Sequence, residues 1–138
     1  MTYHPEIQGL MSLLDAIRGQ VDSVIIVDNG SEPTLPSALQ ARGSQIEAFV
    51  PLGTNFGIAI AQNVGIDRAR EQGADYVLLF DQDSKPAQDM VRQLLTVAEN
   101  KLASGVPLAA VGPRFTDPRR ETASPFMKVK GVKMERQH

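Results

Sequence analysis

The chain has 138 residues, of which 42% are hydrophobic and 22% charged, enough for one domain with one sizeable core. It has no cysteine and two histidines, His4 and His138, which excludes a disulfide framework, thiolate chemistry and a histidine-rich metal site. The net charge of -2 is unevenly spread: residues 1–118 hold 8 Lys/Arg against 14 Asp/Glu, whereas residues 119–138 hold 6 against 2. The expected organisation is an acidic domain over 1–118 and a basic, solvated tail over 119–138. A nucleic-acid role is disfavoured, because the body is acidic and Phe126 is the one aromatic in the basic stretch. No apolar run approaches the roughly 20 residues of a membrane span. The start, MTYHPEI, has no basic region followed by an apolar core. The expectation is a soluble cytoplasmic protein.

In chain order, Ile7, Leu10, Met11, Leu14 and Ile17 fall at helical spacing between Pro5, which suits a first turn, and Gly19, which suits a stop. SVIIVDNGS (23–31) is a β-branched run closed by turn residues. Residues 34–42 are expected to form a short helix, and IEAFV (46–50) a second strand. PLGTNFG is a loop. GIAIAQNVGIDRAREQ (57–72) reads as a helix with a thin face of Ala59, Ala61 and Gly65. DYVLLF (75–80) is expected as a third strand, residues 87–104 as an amphipathic helix through Met90, Val91, Leu94, Leu95, Ala98 and Leu102, and PLAAVG (107–112) as a fourth strand. Alternating strands and helices predict an α/β fold with a mostly parallel sheet and helices on both faces.

Ligands of open α/β sheets bind beyond the carboxyl ends of the strands. Three expected strand ends carry polar turn residues: DNGS (28–31), GTNFG (53–57) and DQDS (81–84). They should share one rim. Asp81 and Asp83 follow an apolar run, where two carboxylates call for a counter-ion or a donor. One can accept hydrogen bonds from a ribose or base, and the other can ligate a divalent cation that also takes phosphate oxygens. Such tripeptides are usually turns or helix caps, and Asp83 or Ser84 would suit the cap of the following helix. Asp28 closes the first strand as a turn residue or as an acceptor for a base imide. Asn55 and Gly57 precede a helix, whose free N–H groups favour anions. Asn63 is unusual within a helix.

With these residues in view, the sequence resembles the inverting, metal-dependent glycosyltransferases of family 2, which have the GT-A fold, and within them the bacterial rhamnosyltransferases that use dTDP-rhamnose. The stretches that carry the resemblance are TYHP (2–5), IIVDNGS (25–31), NFGIAIAQNVGI (55–66), GADYVLLFDQDSKP (73–86) and VGPRFTDP (111–118). The resemblance implies that Thr2, Tyr3, Asp28 and Ser31 lie at the nucleobase. It implies that Asn55, Gly57 and Asn63 line the nucleotide-sugar cleft, that Asp81 faces the ribose or sugar, and that Asp83 holds Mg²⁺ or Mn²⁺ against the diphosphate. The implied donor is dTDP-rhamnose or a UDP-sugar, and the implied acceptor a polysaccharide or lipid-linked sugar. The implied location is the cytoplasm, with peripheral association at the inner face of the plasma membrane and no transmembrane segment.

Family members have a central strand before the Thr-Tyr motif and an acceptor half, with the catalytic base, after the equivalent of Phe126. The sequence is therefore expected to represent a GT-A domain truncated at both ends: a donor-binding portion with no catalytic residue of its own. Two competing readings are a non-catalytic remnant with a partial fold and little nucleotide affinity, and a phosphohydrolase using Asp81 as nucleophile. The second is disfavoured because some 80 residues precede the pair, whereas that class places it on its first strand.

Overall fold

The computed structural model describes residues 1–31, 46–114, 126–130 and 133–137, together with Leu35 and Leu39. Helix α1 spans Ile7–Ile17, strand β1 Val24–Asp28, strand β2 Ile46–Pro51, helix α2 Ile58–Glu71 and helix α3 Met90–Ala103. Strands β3 (Phe126–Lys130) and β4 (Lys133–Gln137) follow. The chain divides into two compact units, Met1–Val91 and Arg92–His138.

In the first unit, β1 and β2 pair in parallel, from Val24 opposite Ile46 to Asp28 opposite Pro51, with a register irregularity after Val24. Proline has no N–H for a ladder, and it stands here at the last pair, where none is required. Side chains alternate along β1. Ile26 and Val24 pack with Leu10, Met11 and Leu14 of α1, with Leu35 and Leu39, and with Phe49 of β2. Val27 lies on the other side, where a Cβ added at Gly65 of α2 would come within 3.2 Å of its Cγ2. Helices thus cover both faces of β1, as the α/β class requires. Burying a side chain such as Leu10 or Ile26 contributes roughly 1.5–3 kcal/mol.

Local sequence explains the helix ends. Glu6, rather than a residue of the first turn, caps α1, its carboxylate accepting from the N–H groups of Gln8 and Gly9. Leu13 is buried in α1, while Ile7 is exposed. The thin face of α2 is Ala61, Gly65 and Ala69 at successive i, i+4 steps, with Ala59 exposed. This corrects the expected Ala59–Ala61–Gly65 face. The expected helix over 34–42 lies mostly outside the described residues, but Leu35 and Leu39 are both helical and buried.

Two expected strands are not observed. Residues 75–80 and 107–112 belong to no ladder among the described residues. Tyr76, Val77, Leu78 and Leu79 are exposed. A short apolar run is compatible with the strand conformation, but a ladder also needs a neighbour, and the neighbour is not encoded in the run itself. On its edge away from β2, the neighbour of β1 among the described residues is a single bridge, Thr2 to Asp28.

In the second unit, β3 and β4 form an antiparallel pair that sets Phe126 opposite Gln137, Lys128 opposite Glu135 and Lys130 opposite Lys133. Both strands lie within the basic stretch expected as a tail. No helix among the described residues is long and apolar enough to cross a membrane.

Candidate nucleotide-sugar site

The end of β1 organises the rim. Asp28 and Asn29 are both buried, and so is Thr2, which runs beside them. The Thr2 N–H donates to Val27 O and the Asn29 N–H donates to Thr2 O, each at 2.8 Å. The Asp28 carboxylate is held by its own turn and by Thr2. Its Oδ1 accepts from Thr2 Oγ1 at 2.8 Å and from the Ser31 hydroxyl, and its Oδ2 accepts from the Ser31 N–H at 2.9 Å. A carboxylate offers about four acceptor positions. Three are used among the described residues. The His4 N–H donates to Ser31 Oγ at 2.9 Å. His4 adopts φ +44, in the left-handed region that a non-glycine residue occupies at some energetic cost.

Asn29 carries the rim to the second segment. Its Oδ1 accepts from the Phe56 N–H, and its Nδ2 donates to Asn55 Oδ1, both at 2.9 Å. Asn55 Oδ1 also accepts from the Gly57 N–H at 2.9 Å. Next to Asn29, Gly30 has φ +92, and a Cβ there would lie 2.7–2.9 Å from the backbone of Thr54 and Asn55. The two loops touch backbone to backbone, so this position requires glycine. Gly57, at φ +85, is the N-cap of α2 and has no side chain to fill that role. Asn63 is exposed further along α2, and no hydrogen bond described here ties it to the rim.

The third segment joins through Gln82. Its Oε1 accepts from the Tyr3 N–H at 2.8 Å, and its Nε2 donates to Tyr3 O at 3.1 Å. Asp81 and Asp83 flank it and are both exposed. The Ser84 N–H donates to Asp81 O at 3.2 Å, which makes Asp-Gln-Asp-Ser a turn. The Met1 α-amino group is held below its ordinary pKa, first by burial and against the opposing pull of the Asp81 carboxylate. The expected capping by Asp83 or Ser84 does not occur, because α3 begins only at Met90. Gln20 meets that helix start instead, its Oε1 accepting from the Val91 N–H at 3.2 Å and its Nε2 donating to Ala87 O at 3.0 Å.

The structure therefore brings together Thr2, Tyr3, Asp28, Ser31, Asn55, Gly57 and the Asp81–Asp83 turn. Asn29 and Gln82 are the residues that join these segments, and sequence reasoning missed both. Asn29 sits inside the turn motif and Gln82 between the two carboxylates, but neither amide carries a signal that sets it apart from other polar turn residues.

A divalent cation at this rim would have the exposed Asp83 carboxylate as its protein ligand, with the exposed Asp81 two residues before it. Among the described residues there is no group of three or more His, Cys, Asp or Glu able to hold a metal. An exposed carboxylate fits a hard cation that keeps waters and shares its remaining positions with phosphate oxygens; it does not fit a closed cage.

In an α/β domain of this kind, the polar loops gathered beyond the ends of the parallel strands are where ligands bind. The chain belongs to glycosyl transferase family 2, whose model matches residues 1–137. It is 33% identical over 132 residues to the dTDP-rhamnosyl transferase RfbF of Shigella flexneri. That alignment covers 94% of this chain and 42% of the relative, so the chain spans less than half the relative's length. No solved structure matches the chain.

Proposed function

We propose that this chain binds a nucleotide-diphospho-sugar in a metal-dependent manner, as the donor half of an inverting glycosyl transfer to a saccharide or lipid-linked acceptor. The observation that carries the reading is the strap of residues 2–4. It ties Asp28 through Thr2 and Ser31, and ties the Asp81–Asp83 turn through Tyr3, so that two acidic centres lie at either end of one short segment. Asp28, whose carboxylate is oriented by Thr2 and Ser31, receives the base imide N–H. Asn55 and Gly57 line the cleft before α2, and Asp81 faces the ribose or sugar. Asp83 holds Mg²⁺ or Mn²⁺, which when bound neutralises the diphosphate and makes it a better leaving group. In the transfer, the acceptor oxygen bonds to the anomeric carbon as the bond to the diphosphate oxygen breaks. No residue of this chain is assigned as the base that takes the acceptor proton. The donor is dTDP-rhamnose, a choice supported by the name of the relative.

The test is thermal unfolding of the chain with Mn²⁺, dTDP, both, or both with EDTA. A ligand that binds only the folded state adds about 2.7 kcal/mol at one hundred times its dissociation constant. The midpoint should rise with both together and return with EDTA. Asp83→Asn should abolish the response while unfolding like the wild type. A wild-type midpoint that dTDP and Mn²⁺ do not move would instead support a folded domain with little nucleotide affinity, a reading favoured by the exposed Tyr76–Leu79 run.

A further inference from the structure

The side chain between the two carboxylates has a task of its own. Tyr3 follows Thr2, whose N–H and C=O are both engaged by β1. In an extended segment the backbone groups of the next residue point the other way. Those of Tyr3 thus face away from β1, toward residue 82, and Gln82 meets both of them, 2.8 Å from the N–H and 3.1 Å from the carbonyl oxygen. A primary amide accepts from an N–H and donates to a C=O together, through two atoms held side by side. Glutamate only accepts, lysine only donates, and methionine offers no strong partner to either group. The amide stands in for a strand neighbour across 79 positions of sequence.

We infer that Gln82 is a positioning residue that sets the spacing between the nucleobase end of the site and its diphosphate end. The inference rests on the proposed function above. Thr2 fixes one side of the strap to Asp28. Gln82 fixes the other side to the turn that carries Asp81 and Asp83. With Asp81 facing the transferred sugar rather than the ribose, a nucleoside needs only the Asp28 end and Mn²⁺ only the carboxylate turn, whereas a nucleoside diphosphate with its cation must reach both at one separation. Loosening the clamp therefore costs the two-ended ligand more than either half.

The test compares the affinity of the full chain for thymidine with its affinity for dTDP plus Mn²⁺, in the wild type, Gln82→Met and Gln82→Asn. Methionine keeps the length and removes both bonds; asparagine keeps the amide and falls one methylene short. Two modest hydrogen bonds are at stake, so Gln82→Met should weaken dTDP binding about tenfold and leave thymidine binding within about twofold. Gln82→Asn should fall between. Equal dTDP affinity in the variants overturns the inference, and so does a parallel loss of thymidine and dTDP, which would mark a merely structural residue. If Gln82→Met does not fold, Gln82→Asn is judged by the same comparison. A wild type that binds no dTDP removes the functional reading and the inference with it, whereas a wild type and variants that bind alike remove the inference alone.

Discussion

The most informative single change is Asn29→Ala. The side chain is buried, and it receives the Phe56 N–H and donates to Asn55 Oδ1, both at 2.9 Å. Truncation leaves the Phe56 N–H without its acceptor in a partly buried position and removes one further bond. An unsatisfied donor costs about 1–3 kcal/mol and a lost neutral bond about 0.5–1.5 kcal/mol, so a loss of about 3 kcal/mol is expected. For a chain of this size that corresponds to a fall of roughly 10 °C in the unfolding midpoint. Calorimetry or circular dichroism reads it directly. A double-mutant cycle with Asn55→Ala separates the shared bond from everything else each side chain does, and a coupling of about 1 kcal/mol is expected. A midpoint within about 2 °C of the wild type, or additivity of the two changes, would refute the claim that Asn29 holds the GTNFG loop to β1.

Three further outcomes follow from the same geometry. Gly30→Ala places a Cβ against the backbone of Thr54 and Asn55 and forces alanine to φ +92, so denaturant titration should show a loss of at least about 2 kcal/mol, and a near-neutral result would mean the loops do not touch. Thr2→Val keeps the shape but removes the hydroxyl that donates to Asp28 Oδ1; a loss of about 1.5–3 kcal/mol is expected for a bond to a carboxylate, with Thr2→Ser largely restoring it. Ala61→Leu inserts bulk where α2 is fully buried, and should destabilise by about 1–3 kcal/mol, whereas the same change at exposed Ala59 should be close to neutral.

Much of the first unit is legible in the sequence, because its elements carry their own signals. The spacing of Leu10, Met11, Leu14 and Ile17 specifies α1, and the β-branched run before Asp28 specifies β1. Small residues in α2 announce a close approach to a strand, though only the structure shows that Ala69 rather than Ala59 completes that face. Residues 75–80 and 107–112 mark the limit. Their composition favours a strand, but pairing depends on what stands beside them, and a window of one sequence does not contain that. The bonds of Asn29 and Gln82 escape for the same reason, since each joins residues far apart in the chain. The carboxylates were visible by their chemistry; the amides that place them were not, because an amide in a turn looks like any other polar residue.

The way the rim is joined bears on how a ligand would bind. The DNGS, GTNFG and DQDS segments are linked chiefly by side-chain bonds: Thr2 to Asp28, Asn29 to Asn55 and Phe56, Gln82 to Tyr3. The first two links are buried or partly buried, whereas the Gln82–Tyr3 pair is exposed. Water competes for exposed bonds, and local opening is easiest where few buried contacts support the backbone. The rim should therefore open first at the Asp81–Asp83 turn and last at Asp28. A ligand held at both ends would gain much of its affinity by closing that weaker side, so hydrogen exchange at the Tyr3 amide should slow on addition of dTDP and Mn²⁺ more than exchange at the Asn29 amide. Equal slowing at both amides would mean that the ligand stabilises the whole rim as one unit rather than closing its weaker side, and that the strap is a scaffold rather than a hinge.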